Sequence, residues 1–260
     1  MSSVISATPK KHTTRPIVTG TSVLGIVYNG GVLLASDTLL SYGGMAKHQG
    51  ISRIHHISNT KTIIAASGEY SDFQMIVRIL EEKSLQETQT SSVLMASLYD
   101  DDETENVNNG MCAAAVWNYL RYLLYAKRNK FNPFWNDILV AGTDTNGKPF
   151  LGSVDKIGTT VKDNVLATGF GSYLALPLLR EQWRPDLTEG EARAMLEDCL
   201  RVLFYRDCRA SSLIQLGKCV SGDHPATPLI SDPYPLEHTS WNDPAFVQAA
   251  PAQLDGDGGW

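Results

Sequence analysis

Four cysteines are the side chains of this chain most able to bind a metal ion or to attack a substrate: Cys112, Cys199, Cys208 and Cys219. None of them forms a C-x-x-C pair, the spacing that metal sites and redox motifs use. Two lie within apolar helical or strand patterns, so we expect buried thiols of a reducing compartment. The sequence predicts no cofactor or metal site, and the cysteine spacing gives no support to an unrelated cysteine-dependent enzyme.

Other reactive residue types occur in patterns that favour structural roles. His55 and His56 are adjacent, so on a strand they face opposite ways and are poorly placed to bind one ion together. The acidic run at residues 100–105 is typical of a solvated charge cluster rather than a cation site. Taken alone, Thr21 is typical of a strand and Asp37 of a turn cap.

The composition indicates a folded chain with a substantial core and gives no overall electrostatic case for binding nucleic acid. The 260 residues are 43% hydrophobic, and 22 basic against 28 acidic side chains leave a net charge of −6. Nucleic-acid-binding domains carry a basic excess instead. No run approaches a transmembrane helix, and residues 1–16 lack the apolar core of a secretory signal. We therefore expect neither nucleic acid nor membrane among the partners.

Short apolar runs bounded by turn residues predict antiparallel hairpins. In the first, Asn29-Gly30 supplies the positive φ angles of a tight turn. The predicted strand pairs are residues 21–28 with 32–37, 51–57 with 61–66, and 137–142 with 150–154, followed by a last strand at 212–220.

Apolar spacing with a 3.6-residue period predicts helices between and after these hairpins. They cover residues 70–82, 111–128, a segment from Gly169 that bends at Pro177, and a long helix capped by Thr188 and Glu191. Strands and helices lie in separate blocks, which indicates an α+β fold with mostly antiparallel sheets.

Three segments depart from this pattern. Residues 1–20 are expected to be extended, and residues 84–110 to form an inserted loop or a helix extension with a mobile acidic tip. Six of the twelve prolines follow residue 220. Residues 221–260 are therefore expected to form a tail with little regular structure, lying across a surface of this chain or of a neighbour.

Five short motifs in a fixed order carry a resemblance that covers residues 15–220. They are Gly20–Gly25, Gly31–Asp37, Ala65–Gly68, Ala167–Gly171 and Tyr205–Asp207. Together they resemble the β-subunit family of 20S proteasomes. The resemblance implies the four-layer αββα sandwich of N-terminal-nucleophile hydrolases. It also implies a stacked-ring hetero-oligomer in which other α and β subunits, in the same and the opposite ring, are the partners.

The same resemblance implies roles for individual residues. Active members of the family attack with a threonine whose own free α-amine is the base, released by cleavage between glycine and threonine. Thr21 stands at that position after Gly20, while Asp37 and Asp207 match the two acidic residues of the site. An active threonine endopeptidase that uses Thr21 is therefore the alternative interpretation.

Three departures from the family pattern favour a silent site. Arg53 replaces the lysine, and Phe170 and Ala210 replace two supporting serines. Catalytic groups that act as a unit fail together, so three losses should stop both hydrolysis and self-cleavage. We expect the Gly20–Thr21 bond to stay intact and Arg53 to pair with Asp37.

The motif at residues 132–136 resembles one noncatalytic branch of the family, which occupies the seventh β position of the ring. That branch implies removal of residues 1–12 near Thr13, a retained extension at 13–20, and a C-terminal arm that reaches the opposite ring. It implies a structural subunit that supports ring assembly and the proteolytic chamber in ATP- and ubiquitin-dependent protein degradation, in the cytoplasm and the nucleus.

Overall fold

The computed structural model describes residues 16–98, 110–222 and 227–237, and it contains fourteen strands and five helices in those ranges. The strands are β1 (Val18–Gly20), β2 (Val23–Tyr28), β3 (Gly31–Asp37), β4 (Leu40–Tyr42), β5 (Met45–His48), β6 (Ile54–His56), β7 (Ile63–Glu69), β8 (Asn136–Thr143), β9 (Pro149–Val154), β10 (Thr160–Lys162), β11 (Val165–Ala167), β12 (Leu213–Val220), β13 (Leu229–Ile230) and β14 (Tyr234–Pro235). The helices are α1 (Tyr70–Leu98), α2 (Ala113–Asn129), α3 (Gly171–Leu174), α4 (Leu176–Gln182) and α5 (Glu189–Arg206).

The strands form two sheets in which every pairing is antiparallel, which confirms the α+β class. The larger sheet has the order β10-β9-β8-β7-β1-β4-β5, and β6 also pairs with β7. The smaller has the order β11-β2-β3-β12-β13, and β14 also pairs with β12. The three predicted hairpins correspond to β2–β3, β6–β7 and β8–β9.

Three apolar clusters fill the spaces on either side of each sheet. One joins α1 and α2 to the larger sheet, and another joins α4 and α5 to the smaller sheet. The third lies between the sheets and includes Val32 and Leu34 of β3 with Leu139 and Ala141 of β8. Successive strand side chains point to opposite faces, so each central strand supplies residues to two clusters.

The predicted helices occur, and of the two alternatives for residues 84–110 the structure has the helix extension as far as Leu98. The buried Ser84 hydroxyl donates to the Ser58 carbonyl at 2.7 Å and docks the extension. The acidic run at 100–105 lies outside the described residues. The break near Pro177 separates α3 from α4, and Thr188 with Glu191 forms the predicted capping box of α5.

The C-terminal tail is more ordered near its start than predicted. Strands β13 and β14 pair with β12, and the buried Leu236 donates its N–H to the Ser212 carbonyl at 2.7 Å. This pairing covers the outer edge of β12, which would otherwise expose unpaired backbone groups. Within a tail expected to hold little regular structure, residues 229–230 and 234–235 therefore form two short strands, whereas the predicted C-terminal arm after residue 237 lies outside the described residues.

All four cysteines are free thiols, but only two are buried. Cys199 and Cys219 lie in the core, where burial raises the pKa of each thiol to about 12. Cys112 is partly exposed and Cys208 is exposed, so the prediction of buried thiols was wrong for these two. Across the described residues, no helix is both long enough and apolar enough to cross a membrane.

Truncation in the cluster between the sheets should destabilise the chain far more than truncation on the surface. Leu139→Ala removes a fully buried side chain and should lower the free energy of unfolding by about 2–5 kcal/mol. Leu85→Ala, at a position 51% exposed on α1, is the matched control and should change it by less than about 0.5 kcal/mol. Urea unfolding measures both, and equal costs would contradict a shared core between the sheets.

Candidate functional site

Arg53 lies at the centre of the candidate site and is fully buried, with 1% of its surface exposed. Its Nε donates to the Asp37 carbonyl at 3.0 Å, and Nη1 donates to the carbonyls of Thr21 and Ala66 at 3.2 and 3.3 Å. Its Nη2 donates to the Ser22 carbonyl at 3.0 Å and to Oδ1 of Asp37. A guanidinium has five N–H groups, so every donor of Arg53 has an acceptor inside the protein.

Asp37 is the anionic partner of this guanidinium, as the sequence predicts. Its Oδ1 also accepts the Thr21 hydroxyl at 3.3 Å, and its Oδ2 accepts the backbone N–H groups of Leu39 at 3.3 Å and Ser211 at 3.2 Å. Burial raises the pKa of the Asp37 carboxyl, and Arg53 together with these donors opposes that shift. A buried charge without such partners would be strongly destabilising.

Thr21 is held through both its side chain and its backbone carbonyl. Its hydroxyl donates to Asp37 while its carbonyl accepts from Arg53, and only 6% of its surface is exposed. The residues before it form β1, which lies between β4 and β7 in the larger sheet. Gly20 is paired with Gly68 of β7, so the chain enters the site through a complete backbone ladder.

Glu69 fixes the start of this extension. Its carboxylate accepts the backbone N–H of Ile17 and that of Val18, the latter at 3.1 Å. Residues 17–20 are therefore bound by a side chain at one end and by two strands along their length. The predicted removal of residues 1–12 and the predicted processing position near Thr13 lie outside the described residues.

The other three candidate residues are not brought into contact with Thr21 by any hydrogen bond between described residues. Phe170 precedes α3, and its side chain is 49% exposed. Asp207 ends α5, where its Oδ1 accepts the Arg209 N–H at 3.0 Å, and its carbonyl accepts the Ala210 N–H at 3.0 Å. Asp207 therefore caps the end of α5 and the turn that follows it.

Neither Phe170 nor Ala210 has a side chain that can donate or accept a hydrogen bond. The Oδ2 atom of Asp207 is buried and has no hydrogen-bond partner within the described part of the chain. The described residues also contain no group of three histidine, cysteine or acidic side chains arranged to hold a metal ion. The chemistry present is therefore a threonine hydroxyl, a carboxylate and a guanidinium.

Comparison with known proteins identifies the family. The family model described as "Proteasome subunit" matches residues 17–219. The chain belongs to the proteasome subunit family. It is 42% identical over 235 residues to proteasome subunit beta type-4 of Dictyostelium discoideum, covering 90% of this chain and 83% of that one. It is 38% identical to the beta type-4 subunit of Xenopus laevis, with 81% of each chain covered.

The fungal relatives in the same family are named beta type-7 rather than beta type-4. The chain is 36% identical to proteasome subunit beta type-7 of Saccharomyces cerevisiae over 210 residues, which covers 79% of this chain and 74% of that subunit. The motif at residues 132–136 had predicted one branch of the family. The relatives named beta type-4 and beta type-7 confirm the predicted branch.

The sequence did not predict the residues that hold the backbone around the site in place, namely Ser22, Glu69 and strand β1. Ser22 accepts the Gly171 N–H through its hydroxyl at 2.8 Å, and this contact fixes the turn before α3. Glu69 and the three-residue strand β1 were also missed. The sequence feature that could have indicated β1 is the pair of glycines that face each other across β1 and β7. Gly20 lies against Arg53, and Gly68 has a φ of +94° where it approaches the Trp135 carbonyl.

A methyl group at Gly20 should displace Arg53. The Cβ of Gly20→Ala would lie 2.4 Å from Cδ and 2.8 Å from Nη1 of that side chain, closer than real contacts allow. Overpacking of this kind costs about 1–3 kcal/mol. Gly44→Ala is the control, because nothing lies within 4 Å of its Cβ. Thermal unfolding should show a lower midpoint for Gly20→Ala only, and a shared midpoint would contradict close packing of Arg53 on the extension.

Removal of the guanidinium should leave Asp37 as an unpaired buried charge. Arg53→Met should therefore lower the free energy of unfolding by about 3–5 kcal/mol in urea titrations at neutral pH. Arg78→Met breaks an exposed ion pair with Glu82 on α1 and should change it by less than about 1 kcal/mol. An Arg53→Met variant as stable as the Arg78→Met variant would show that the buried pair is not a structural requirement.

Proposed function

We propose that this chain is a noncatalytic, structural β subunit of the 20S proteasome core particle. The observation that carries the proposal is the buried guanidinium of Arg53, with all five donors bound to protein acceptors. An arginine is effectively never deprotonated, so it cannot take part in proton transfer. With no donor left over, it also cannot polarise an attacking hydroxyl in the way a mobile ammonium can.

The base required for attack is also missing. A threonine hydroxyl is a weak nucleophile, and in active members of the family the free α-amine of that threonine accepts its proton. While Gly20 and Thr21 stay joined, the nitrogen of Thr21 is an amide without a basic lone pair. Loss of general-base catalysis lowers a rate by about 10²–10⁴-fold. Self-cleavage would need the same hydroxyl and the same partners, so the peptide bond persists.

The position of β1 supports the same conclusion from geometry. This strand fills the space between β4 and β7, and both of its backbone edges are paired. A substrate peptide that approached Thr21 along this gap would have to displace it. The buried threonine is therefore closed to a second chain as well as chemically silent.

Membership of the proteasome subunit family supports the proposed assembly, and the three apolar clusters support the proposed four-layer fold. Helices packed on the outer face of each sheet, with apolar side chains between the sheets, support the four-layer αββα sandwich. The proposed partners are the other α and β subunits, in the same ring and in the opposite one. The subunit would support ring assembly and the proteolytic chamber, in the cytoplasm and the nucleus.

An active threonine endopeptidase is the second candidate, and one contact favours it. The hydroxyl of Thr21 lies 3.3 Å from Oδ1 of Asp37, as a nucleophile lies beside an orienting carboxylate. A buried threonine with a purely structural role can satisfy its hydroxyl with the same contact. Because Arg53 binds the same carboxylate oxygen, the structural interpretation is favoured.

Chemical labelling separates these two functions. Purified particles that contain the chain are treated with a threonine-directed covalent inhibitor, and peptides are mapped by mass spectrometry. We expect no adduct on Thr21 and no mature chain that begins at Thr21, while active subunits in the same particle are labelled and serve as the internal control. An adduct on Thr21, or a free Thr21 amino terminus, would establish the endopeptidase instead.

A further inference from the structure

Helix α2 ends in a capping motif that normally requires glycine. The N–H of Phe131 donates to the Arg128 carbonyl at 3.0 Å, and the N–H of Asn132 donates to the Lys127 carbonyl at 3.1 Å. These two bonds define the Schellman motif, whose left-handed residue is usually glycine and sometimes asparagine. Phe131 occupies that position with a φ of +54°. A bulky side chain in this conformation is an outlier.

Side-chain packing among the described residues does not compensate for this strained conformation. The side chain of Phe131 is 91% exposed, more than any other large apolar side chain in the described ranges. The one other non-glycine residue with positive φ there is Asn59, a type that tolerates the conformation. Strained residues persist where surrounding structure or function requires them, and at 91% exposure the ring is almost uncovered by the described residues.

The backbone around Phe131 holds the ring in a fixed place. The two bonds of the capping motif are donated by Phe131 itself and by Asn132, and Pro133 restricts the backbone of Asn132. Lys127 lies over the ring of the buried Phe134, 4.8 Å from its centroid, which fixes the next turn of chain. The phenyl ring is therefore presented outward from a rigid support.

The chain segment on either side of the ring is basic, in a chain whose net charge is −6, and the nearby acidic group Asp72 is engaged with Lys127 and the Trp135 N–H. Arg128 and Lys130 are exposed beside it, and residues 110–136 contain no acidic side chain. Cations at a helix C-terminus are stabilised by the helix dipole, which accounts for their position. The dipole does not account for an exposed aromatic ring among them.

We propose that Phe131 is an anchor side chain that inserts into an apolar socket, rimmed by carboxylates, on a neighbouring subunit of the assembled particle. The proposal rests on the proposed function as a ring subunit and adds a specific contact to it. Binding would cover the ring and neutralise Arg128 and Lys130. Aromatic side chains inserted in pockets are the contacts that dominate interface affinity.

Competitive incorporation tests the anchor. Wild-type chain and Phe131→Asn, with different tags, are co-expressed with the remaining subunits, and their ratio in purified particles is compared with their ratio in the lysate. We expect wild type to be enriched at least tenfold. Phe131→Met keeps a large apolar side chain and is the matched variant, which we expect to be incorporated within twofold of wild type.

The stability of the free chain shows whether this loss is specific. Asparagine tolerates the left-handed conformation, so Phe131→Asn should unfold at the same or a higher urea concentration than wild type. The anchor proposal would be refuted if Phe131→Asn were incorporated as well as wild type, or if Phe131→Met were incorporated tenfold less. A lower unfolding midpoint for Phe131→Asn would also refute it. Failure of wild type to enter particles would instead refute the proposed function on which the anchor depends.

The same assay tests separately whether carboxylates around the socket pair with Arg128 and Lys130. A variant that combines Arg128→Gln with Lys130→Gln keeps Phe131 and the helix but removes both exposed cations. We expect wild type to be enriched two- to fivefold over it, because complementary charge steers association. Equal incorporation would overturn the carboxylate rim of the socket.

Discussion

The buried ion pair of Arg53 and Asp37 is the interaction on which the site and much of the fold depend. Arg53 reaches backbone carbonyls just before β2, at the end of β3 and within β7, so one side chain joins the two sheets at their common end. A cation in this position is tolerable because every donor is satisfied and the carboxylate is adjacent. The same arrangement leaves Arg53 and Asp37 fully engaged with each other and with the backbone, and the proposed noncatalytic role depends on this engagement.

Much of the fold could be predicted from the sequence because its central elements are strongly patterned. The hairpin at Asn29-Gly30, the capping box at Thr188 and the break near Pro177 are local signals, and each element occurs as expected. Strands β1, β4, β5, β10 and β11 were missed because each has only three or four residues. Such strands are stabilised by long-range pairing, which local propensity does not contain.

The candidate site was predicted in part, and the missing part has one physical origin. Pairing of Arg53 with Asp37 follows from opposite charge at matched family positions. The four backbone carbonyls around the guanidinium depend on how distant turns approach each other, so no sequence pattern contains them. The tail shows the same limit: its proline content argued against strands, yet the unpaired edge of β12 ordered residues 229–235 against it.

Strand β1 also ties the backbone before Thr21 to the integrity of the larger sheet. In the order of the larger sheet, β1 is the link between β7 and the β4–β5 hairpin. Cleavage after Gly20 to expose the Thr21 amine would free this strand to leave, and the hairpin would lose its place in the sheet. Exposure of the Thr21 amine would therefore require a new connection between β7 and the β4–β5 hairpin. The peptide bond between Gly20 and Thr21 is in this way also a structural link within the larger sheet.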